Sequence, residues 1–443
     1  MIARLRAWHR TGPVLAAAVA VIWGASGILH PVMSWTAPRP ALQAPPALIV
    51  ETAGALAPAA VPAPEGEVHQ LRLAPSPLGA YWNVLPGEGG ARMALETRSR
   101  QDAHAAMEAH AIALARHYAS LPETPVFSVS QITRFSMDYP PVNRLLPVTE
   151  VVFDTSDRLT IYVDTGSDRL AAVSNTPRRW MLRAFQTLHT LAPLKAVEPV
   201  RLVVLSILTL AFMATVIAGL SMLSAARGRK MRRWHRWAGA ALALPALAFP
   251  ASGLLHAWTG SSLFTGPAPQ AIVFSTERLG AIPVGRFTHL AASADEHGPV
   301  WRGASGMDAR YWSAEGEALE TDDAGRARAL AGAGPLAETR LQARFDADYG
   351  FANKRLPVWR VELEHGPVFV DPVDALIAGQ PVGLVGQVER WSFDHLHKWH
   401  FANPLGRNLR DSLMMFTAAA IMVLALTGLS LQRRRRRRAK DTP

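Results

Sequence analysis

Two apolar stretches of the chain each carry a histidine at both ends. One runs from His9 to His30 and the other from His235 to His256; each has the letters WHR around its first histidine and ASGILH or ASGLLH before its last. Neutral imidazole is a good ligand for transition metals, including haem iron. The recurring pattern therefore predicts metal binding, although a histidine beside Trp is also a common anchor at a membrane surface.

Helix geometry limits how these histidines can be combined. On an α-helix about 21 residues rise about 31 Å, so His9 and His30 lie at opposite ends of their stretch and cannot hold the same ion. Because the two stretches are near-copies, we expect His9 to meet His235, and His30 to meet His256. Two imidazoles on facing helices would fill both axial positions of a haem iron, which favours electron transfer over oxygen binding.

A further set of histidines precedes the other long apolar stretches. The counterpart of His189 is either His397, which is also preceded by Leu, or His400, which is also followed by Pro-Leu after three residues. The shared Leu-His pair favours His397 slightly. Small residues at Gly24–Gly27 and Ala251–Gly253 stand near the expected ligands, where they would allow close helix packing or leave room for a flat ring.

The composition restricts the redox chemistry and the partners. The 443-residue chain has no cysteine, which excludes disulfides, thiolate-held iron–sulfur clusters and covalently attached c-type haem. The formal net charge is +11, but the basic residues concentrate beside apolar stretches, as at Arg433–Arg438. This distribution is typical of membrane orientation and argues against nucleic acid as a partner.

Four stretches are long enough to cross a lipid bilayer, which requires about 20 residues of helix. They contain no Asp, Glu, Lys or Arg and cover Val14–Met33, Leu202–Leu223, Trp237–Trp258 and Leu413–Leu431. The first also has the basic start and apolar core of a signal peptide, but its near-copy lies in mid-chain. A retained membrane helix is therefore the preferred interpretation.

The basic flanks predict the orientation in the membrane. Arg4, Arg6 and Arg10 precede the first stretch, a basic link at 227–233 joins the second to the third, and Arg433–Arg438 follow the fourth. Basic flanks stay in the cytoplasm, so both termini are expected there and the two long intervening segments outside. The prediction is a multi-pass protein of the bacterial inner membrane with two large periplasmic segments.

The two long segments share a pattern of α+β elements. Ala-rich residues 98–120 predict a helix, and the alternation in Thr149–Val163 predicts a pair of strands; Arg326–Ala331 and Val358–Val370 repeat the pattern more weakly. Histidines on the first helix are expected to be solvated: His104, His110 and His117.

Short matching motifs relate the two halves of the chain. The letters RW recur at 179–180 and 390–391, and GLS recurs at 219–221 and 428–430. Their constant order predicts a duplicated unit of helix, outer domain and helix.

In order and duplication these motifs resemble the PepSY-associated transmembrane family. The likeness covers nearly the whole chain and rests on the Ala-rich helix, the letters LPV before a strand pair ending YVD or FVD, and spans containing WHR and SG. It implies a membrane protein whose four-transmembrane-helix bundle comes from two tandem repeats of helix, PepSY-like α+β domain and helix. Some members are bacterial inner-membrane ferrisiderophore reductases with b-type haem held by histidines at the ends of spans.

The resemblance gives an expected ligand set and an expected division of the chain. Two haem b groups would be held by histidines drawn from His9, His30, His189, His235, His256, His397 and His400. The regions are a tail and first span at 1–36, a linker and first periplasmic domain at 37–195, a second span at 196–226, a link and third span at 227–258, a second periplasmic domain at 259–407, and a fourth span with an Arg-rich tail at 408–443.

Three functions remain open from the sequence. The first is electron transfer across the membrane to a ferric chelate such as a siderophore, with electrons from a separate flavoprotein reductase or a quinol, since no flavin or nicotinamide motif is present. The second is a non-enzymatic membrane protein that binds an envelope partner. The third is a transporter, which Pro245 and Pro250 would favour, but the other spans lack matching breaks.

Overall fold

The computed structural model describes residues 9, 13–55, 57–61, 66–99, 101–223, 230–261, 263, 272–295, 297–306, 308–346, 348–350 and 355–440. Within them the α-helices are α1 (Pro13–Thr36), α2 (His104–Ala119), α3 (Thr176–His189), α4 (Glu198–Leu220), α5 (Lys230–Ala241), α6 (Ala243–Thr259), α7 (Asp323–Leu330), α8 (Leu384–Ser392) and α9 (Arg407–Lys440). A π-helical turn, Phe393–His397, continues α8.

The strands of the described residues are β1 (Val50–Glu51), β2 (Val68–Ala74), β3 (Tyr81–Pro86), β4 (Met93–Glu96), β5 (Val126–Ile132), β6 (Val148–Phe153), β7 (Thr160–Asp164), β8 (Arg169–Ser174), β9 (Arg286–Phe287), β10 (His289–Asp295), β11 (Gly298–Ser305), β12 (Asp308–Trp312), β13 (Ala318–Leu319), β14 (Thr339–Gln342), β15 (Val358–Leu363), β16 (Gly366–Asp371) and β17 (Leu376–Gly379).

Among the described residues, three helical segments are long and apolar enough to span a membrane: Val14–Thr36, Ala192–Leu220 and Arg407–Arg434. A fourth candidate is the pair α5 and α6, which are bent by 49° where they meet. Pro245 explains this break, because its ring clashes with the carbonyl four residues earlier and it has no N–H to donate. The chain therefore has the helices of a membrane protein, with the third expected span bent.

These helices belong to one compact unit of the chain, Met1–Thr36, Trp180–Ala268 and Val382–Pro443. Its apolar core comes from α1, α4 and α6, with Ala16, Val19, Ala20, Phe212 and Ala246 buried together. Small side chains let the helix backbones come close. A Cβ added at Gly24 would lie 2.7 Å from Cγ of Met422 in α9, so only glycine permits this helix contact as it stands.

The other compact unit, Ala37–Arg179 and Pro269–Pro381, contains most of both long segments and is called the sheet-containing unit below. Its central sheet has seven strands in the order β13-β12-β11-β10-β2-β3-β4, so strands from both segments share one sheet. The join is the antiparallel β2–β10 pair, where Leu73 lies opposite Leu290. Where the sequence predicts two separate domains, the structure groups the two segments in one unit around a shared core.

A four-stranded sheet of this unit follows the sequence pattern closely. The order is β5-β6-β7-β8, and Thr149 pairs with Val163, which confirms the predicted strand pair. The corresponding order from the second segment is β14-β15-β16-β17. Helix α2 begins later than expected, at His104, because Asp102 forms an isolated β-bridge with Leu95.

The expectation of solvated histidines on α2 is wrong for His110. Its ring is fully buried, with Nδ1 3.0 Å from the Tyr81 hydroxyl and Nε2 2.9 Å from Asp168. Asp168 also accepts two hydrogen bonds from Arg72, at 2.8 and 2.5 Å. A second buried cluster joins Arg169 to Asp371 and Asp374. These charges are paired rather than solvated, as burial requires.

Several expectations lie outside the described residues. They include the basic flanks Arg4, Arg6, Arg10, Arg227 and Arg229.

Candidate paired-histidine sites

His9 and His235 face one another in the helical unit. Their ring centres are 6.5 Å apart and their planes are inclined by 52°. Nδ1 of His9 donates to the Thr215 carbonyl of α4 at 2.9 Å. Nδ1 of His235 lies 3.4 Å from the Thr427 hydroxyl of α9. The two rings therefore meet as the sequence predicts, each fixed by a neighbouring helix.

His189 and His397 form a second facing pair. Their ring centres are 6.2 Å apart, with planes inclined by 76°. Each stands at the end of a helical segment, and the residue two positions later, Leu191 or Trp399, adopts a left-handed conformation that turns the chain away. The shared Leu-His pair therefore identifies the correct spatial counterpart of His189.

Serine residues in the two ASG motifs contact this second pair. Ser26 Oγ lies 3.1 Å from Nδ1 of His189, and Ser252 Oγ lies 3.3 Å from Nδ1 of His397. Nδ1 of His397 also donates to the Phe249 carbonyl at 3.0 Å. The same motif position thus supports one ring in each half of the chain.

A glycine lies beneath each of the four rings. A Cβ added at Gly219 would lie 3.0 Å from Cε1 of His9, and one at Gly428 would lie 3.0 Å from Cε1 of His235. The corresponding distances are 3.4 Å from Gly27 to His189 and 3.2 Å from Gly253 to His397. The absence of a side chain at each glycine leaves room for the ring to approach the neighbouring helix.

The hydrogen bonds favour one tautomer. A carbonyl oxygen only accepts, so Nδ1 of His9 and of His397 carries the proton and Nε2 keeps its lone pair. Burial lowers the pKa of His189 to about 4 and that of His397 to about 3. Both rings of this pair are therefore neutral near pH 7, the protonation state that metal ligation requires.

The spacing of both pairs fits two axial ligands of one haem iron. Two imidazole–metal bonds of about 2.0 Å each, plus roughly 1 Å from each nitrogen to its ring centre, add to about 6 Å. The observed separations are 6.5 and 6.2 Å. A hydrogen bond to the other ring nitrogen is the usual support for a histidine that binds a metal. The four histidines therefore have the spacing and the support that a haem with two imidazole ligands needs.

The other expected ligands occupy different surroundings. His30 lies beside Phe185, with ring centres 5.6 Å apart. His256 stacks on Phe393 and its Nδ1 is 2.6 Å from Glu389. Phe185 is thus beside His30, while Phe393 and Glu389 contact His256, and the pairing of His30 with His256 stays a prediction.

His400 is also removed from the facing pairs. Its Nδ1 lies 3.5 Å from a carboxylate oxygen of Asp394. Burial is the main cause that lowers the pKa of His400, although Asp394 opposes it.

Sequence reasoning missed the aromatic rings that flank the second pair. Phe185 stacks on His189 with ring centres 4.9 Å apart, and Phe393 stacks on His397 at 4.8 Å. Each Phe precedes its histidine by four residues, and side chains with this spacing lie on the same face of a helix. The spacing of Phe and His in the sequence could therefore have predicted these contacts.

Among the described residues no group of three or more His, Cys, Asp or Glu could hold a metal ion, whereas a haem with two axial histidines needs only two protein ligands.

Comparisons with known proteins leave the family open. No protein-family model matches the chain, and no curated protein matches it.

Proposed function

We propose that the protein binds two haem b groups and carries electrons through a membrane to a ferric chelate. The observation that supports this most directly is the presence of two facing imidazole pairs, at 6.5 and 6.2 Å, each ring resting on a glycine. His9 and His235 would bind one haem, and His189 and His397 the other. Haem iron supplies reversible one-electron transfer when both axial positions are filled.

The apolar helices support a place in the bacterial inner membrane. With the basic flanks in the cytoplasm, the His9–His235 pair stands on the cytoplasmic side, because His9 precedes the first span. The sheet-containing unit is then periplasmic and corresponds to the PepSY-like domains. The two haems would lie at different depths, which suits electron transfer from one face to the other.

The electron donor would be a separate quinol or flavoprotein reductase, and the acceptor an iron(III) chelate such as a siderophore. Reduction weakens the hold of a siderophore, because Fe(II) suits hard oxygen ligands less well than Fe(III) does. The chain's own contribution is to orient the four imidazoles through contacts at Nδ1 and to keep the His189–His397 pair neutral.

The test is the haem content of the purified full-length protein. We expect a reduced-minus-oxidised spectrum of haem b and two haems per chain. His189→Ala or His397→Ala should remove one haem, and His9→Ala or His235→Ala the other. His400→Ala is the matched control and should retain both.

Two results would contradict the proposal. A folded, colourless protein from haem-replete cells would leave the non-enzymatic interaction protein as the better explanation. Full haem content in all four variants would show that other residues bind the iron.

A further inference from the structure

His256 and Glu389 form an acid–imidazole pair beside the second histidine pair. Nδ1 of His256 lies 2.6 Å from Oε1 of Glu389, and the His256 side chain is 50% exposed. In the described part of the chain, the polar contact found for this imidazole is through Nδ1 alone. Nε2 is therefore the nitrogen left to bind a ligand.

This arrangement is the one that proteins use to orient a metal-binding histidine. A carboxylate that accepts from one ring nitrogen fixes the tautomer and raises the basicity of the other nitrogen. Phe393 holds the ring from below, with ring centres 3.9 Å apart and planes inclined by 15°. The carboxylate and the Phe393 ring thus fix the orientation of the His256 imidazole, and its exposure lets a ligand from the solvent reach it.

A continuous aromatic contact links this imidazole to His397. Phe393 stacks on His256 and also on His397, with ring centres 3.9 and 4.8 Å apart. Packed rings at these separations bring an exposed metal-binding group close to a residue assigned to the haem.

The two halves of the chain differ at the position of this carboxylate. The RW motifs place Glu389 in register with Arg178. His30 is tilted by 53° relative to Phe185, whereas His256 is almost parallel to Phe393. The two halves thus share the histidine and the Phe, but the stacked ring with a carboxylate partner occurs in the second half.

We propose that His256 Nε2 binds the iron of a ferric chelate that has an exchangeable coordination position, and that Glu389 orients the ring for this contact. The inference rests on the proposed function and names its substrate class. The chelated Fe(III) gains one electron and becomes Fe(II), and the electron comes from reduced haem b. The step involves no proton and no leaving group beyond the water or ligand arm that His256 displaces. Imidazole suits iron in either valence.

The kinetic test follows oxidation of the reduced, haem-loaded protein by three oxidants. Ferric nitrilotriacetate has exchangeable positions, ferrioxamine B has none, and ferricyanide reacts without ligand exchange. We expect His256→Ala to slow the reaction with ferric nitrilotriacetate about tenfold, because positioning is lost. The other two oxidants should react as with the wild type. Glu389→Gln should give an intermediate rate, and His104→Ala, which replaces an exposed histidine of α2, is the control with an unchanged rate.

Binding of Zn(II) as its nitrilotriacetate complex, a redox-inert probe with exchangeable positions that a single imidazole can fill, gives a second measurement on an untagged preparation. Wild-type protein should bind one more of these Zn(II) complexes than His256→Ala, and Glu389→Gln should bind that complex about tenfold more weakly. Equal Zn(II) binding by wild type and His256→Ala would overturn the inference, as would equal rates with ferric nitrilotriacetate or loss of a haem from His256→Ala. A protein without haem would contradict the proposed function. The Zn(II) titration would still decide whether His256 binds a metal.

Discussion

The imidazole rings of His189 and His397 lie 6.2 Å apart, centre to centre, with their planes inclined by 76°. Each ring is held through Nδ1, by Ser26 in one case and by Ser252 and the Phe249 carbonyl in the other. Residues far apart in the sequence thus hold the two facing rings in equivalent ways.

The glycines beneath the His9–His235 pair should be required for full haem binding. A Cβ at Gly219 or Gly428 would lie 3.0 Å from the ring above it, so Gly219→Ala and Gly428→Ala must displace that ring. We expect a reduced occupancy or a shifted absorption band for one haem only, measured on the purified variants.

Gly239→Ala is the matched control, because its new Cβ would meet Leu424 at an ordinary 3.8 Å. If Gly219→Ala and Gly428→Ala bind both haems with wild-type spectra, close packing of these rings is not needed for the site.

Replacing Asp168 by Asn should strongly destabilise the sheet-containing unit. The substitution leaves the charge of buried Arg72 unpaired, and breaking a buried ion pair costs about 3–5 kcal/mol. Asp168 has a left-handed backbone, with φ of 58°, which Asn tolerates, so the effect comes from the charge. Denaturant unfolding of the solubilised chain, followed by the fluorescence of buried Trp82 and Trp301, measures it.

Asp154→Asn provides the exposed comparison. Asp154 pairs with Arg158 at the surface, so we expect a change of no more than about 1 kcal/mol. Equal effects of the two substitutions would contradict the role assigned to the buried pair.

The contribution of Asp168 should also depend on pH. Burial alone would raise the pKa of this carboxyl, but the charge of Arg72 and the contact with His110 outweigh burial and hold the pKa well below its usual range. A pKa that is lower in the folded state stabilises the protein above the unfolded value of about 3.9, and this stabilisation is lost as the pH falls toward the folded value. The difference in unfolding free energy between wild type and Asp168→Asn should therefore be constant near neutral pH and shrink below about pH 4. A difference that grows on acidification would show that the sign is wrong.

The lack of cysteine makes the chain suited to labelling of its orientation. Leu336 is 98% exposed in the sheet-containing unit, so Leu336→Cys should react with a membrane-impermeant maleimide in intact spheroplasts. Thr442→Cys, beyond the arginine-rich end, should react only after lysis, because basic flanks stay in the cytoplasm. Labelling of Thr442→Cys in intact cells, with Leu336→Cys protected, would reverse the proposed orientation.

The sequence by itself determined the local features of this protein. Apolar length located the candidate spans, alternation in Thr149–Val163 located β6 and β7, and the near-identical WHR motifs predicted the contact between His9 and His235. These signals survive in the sequence because they depend on the exposure of consecutive residues along one helix or strand.

Tertiary structure decided the final partners of the other histidines and which of them are buried. His189 faces His397 and not His400, and His256 contacts Glu389. His110 is buried against Asp168 and is not exposed to solvent. The shared sheet depends on the β2–β10 join between distant segments. No local pattern encodes such contacts, because the distance between two side chains on different elements is set by how the helices and strands pack, not by the residues that flank either one.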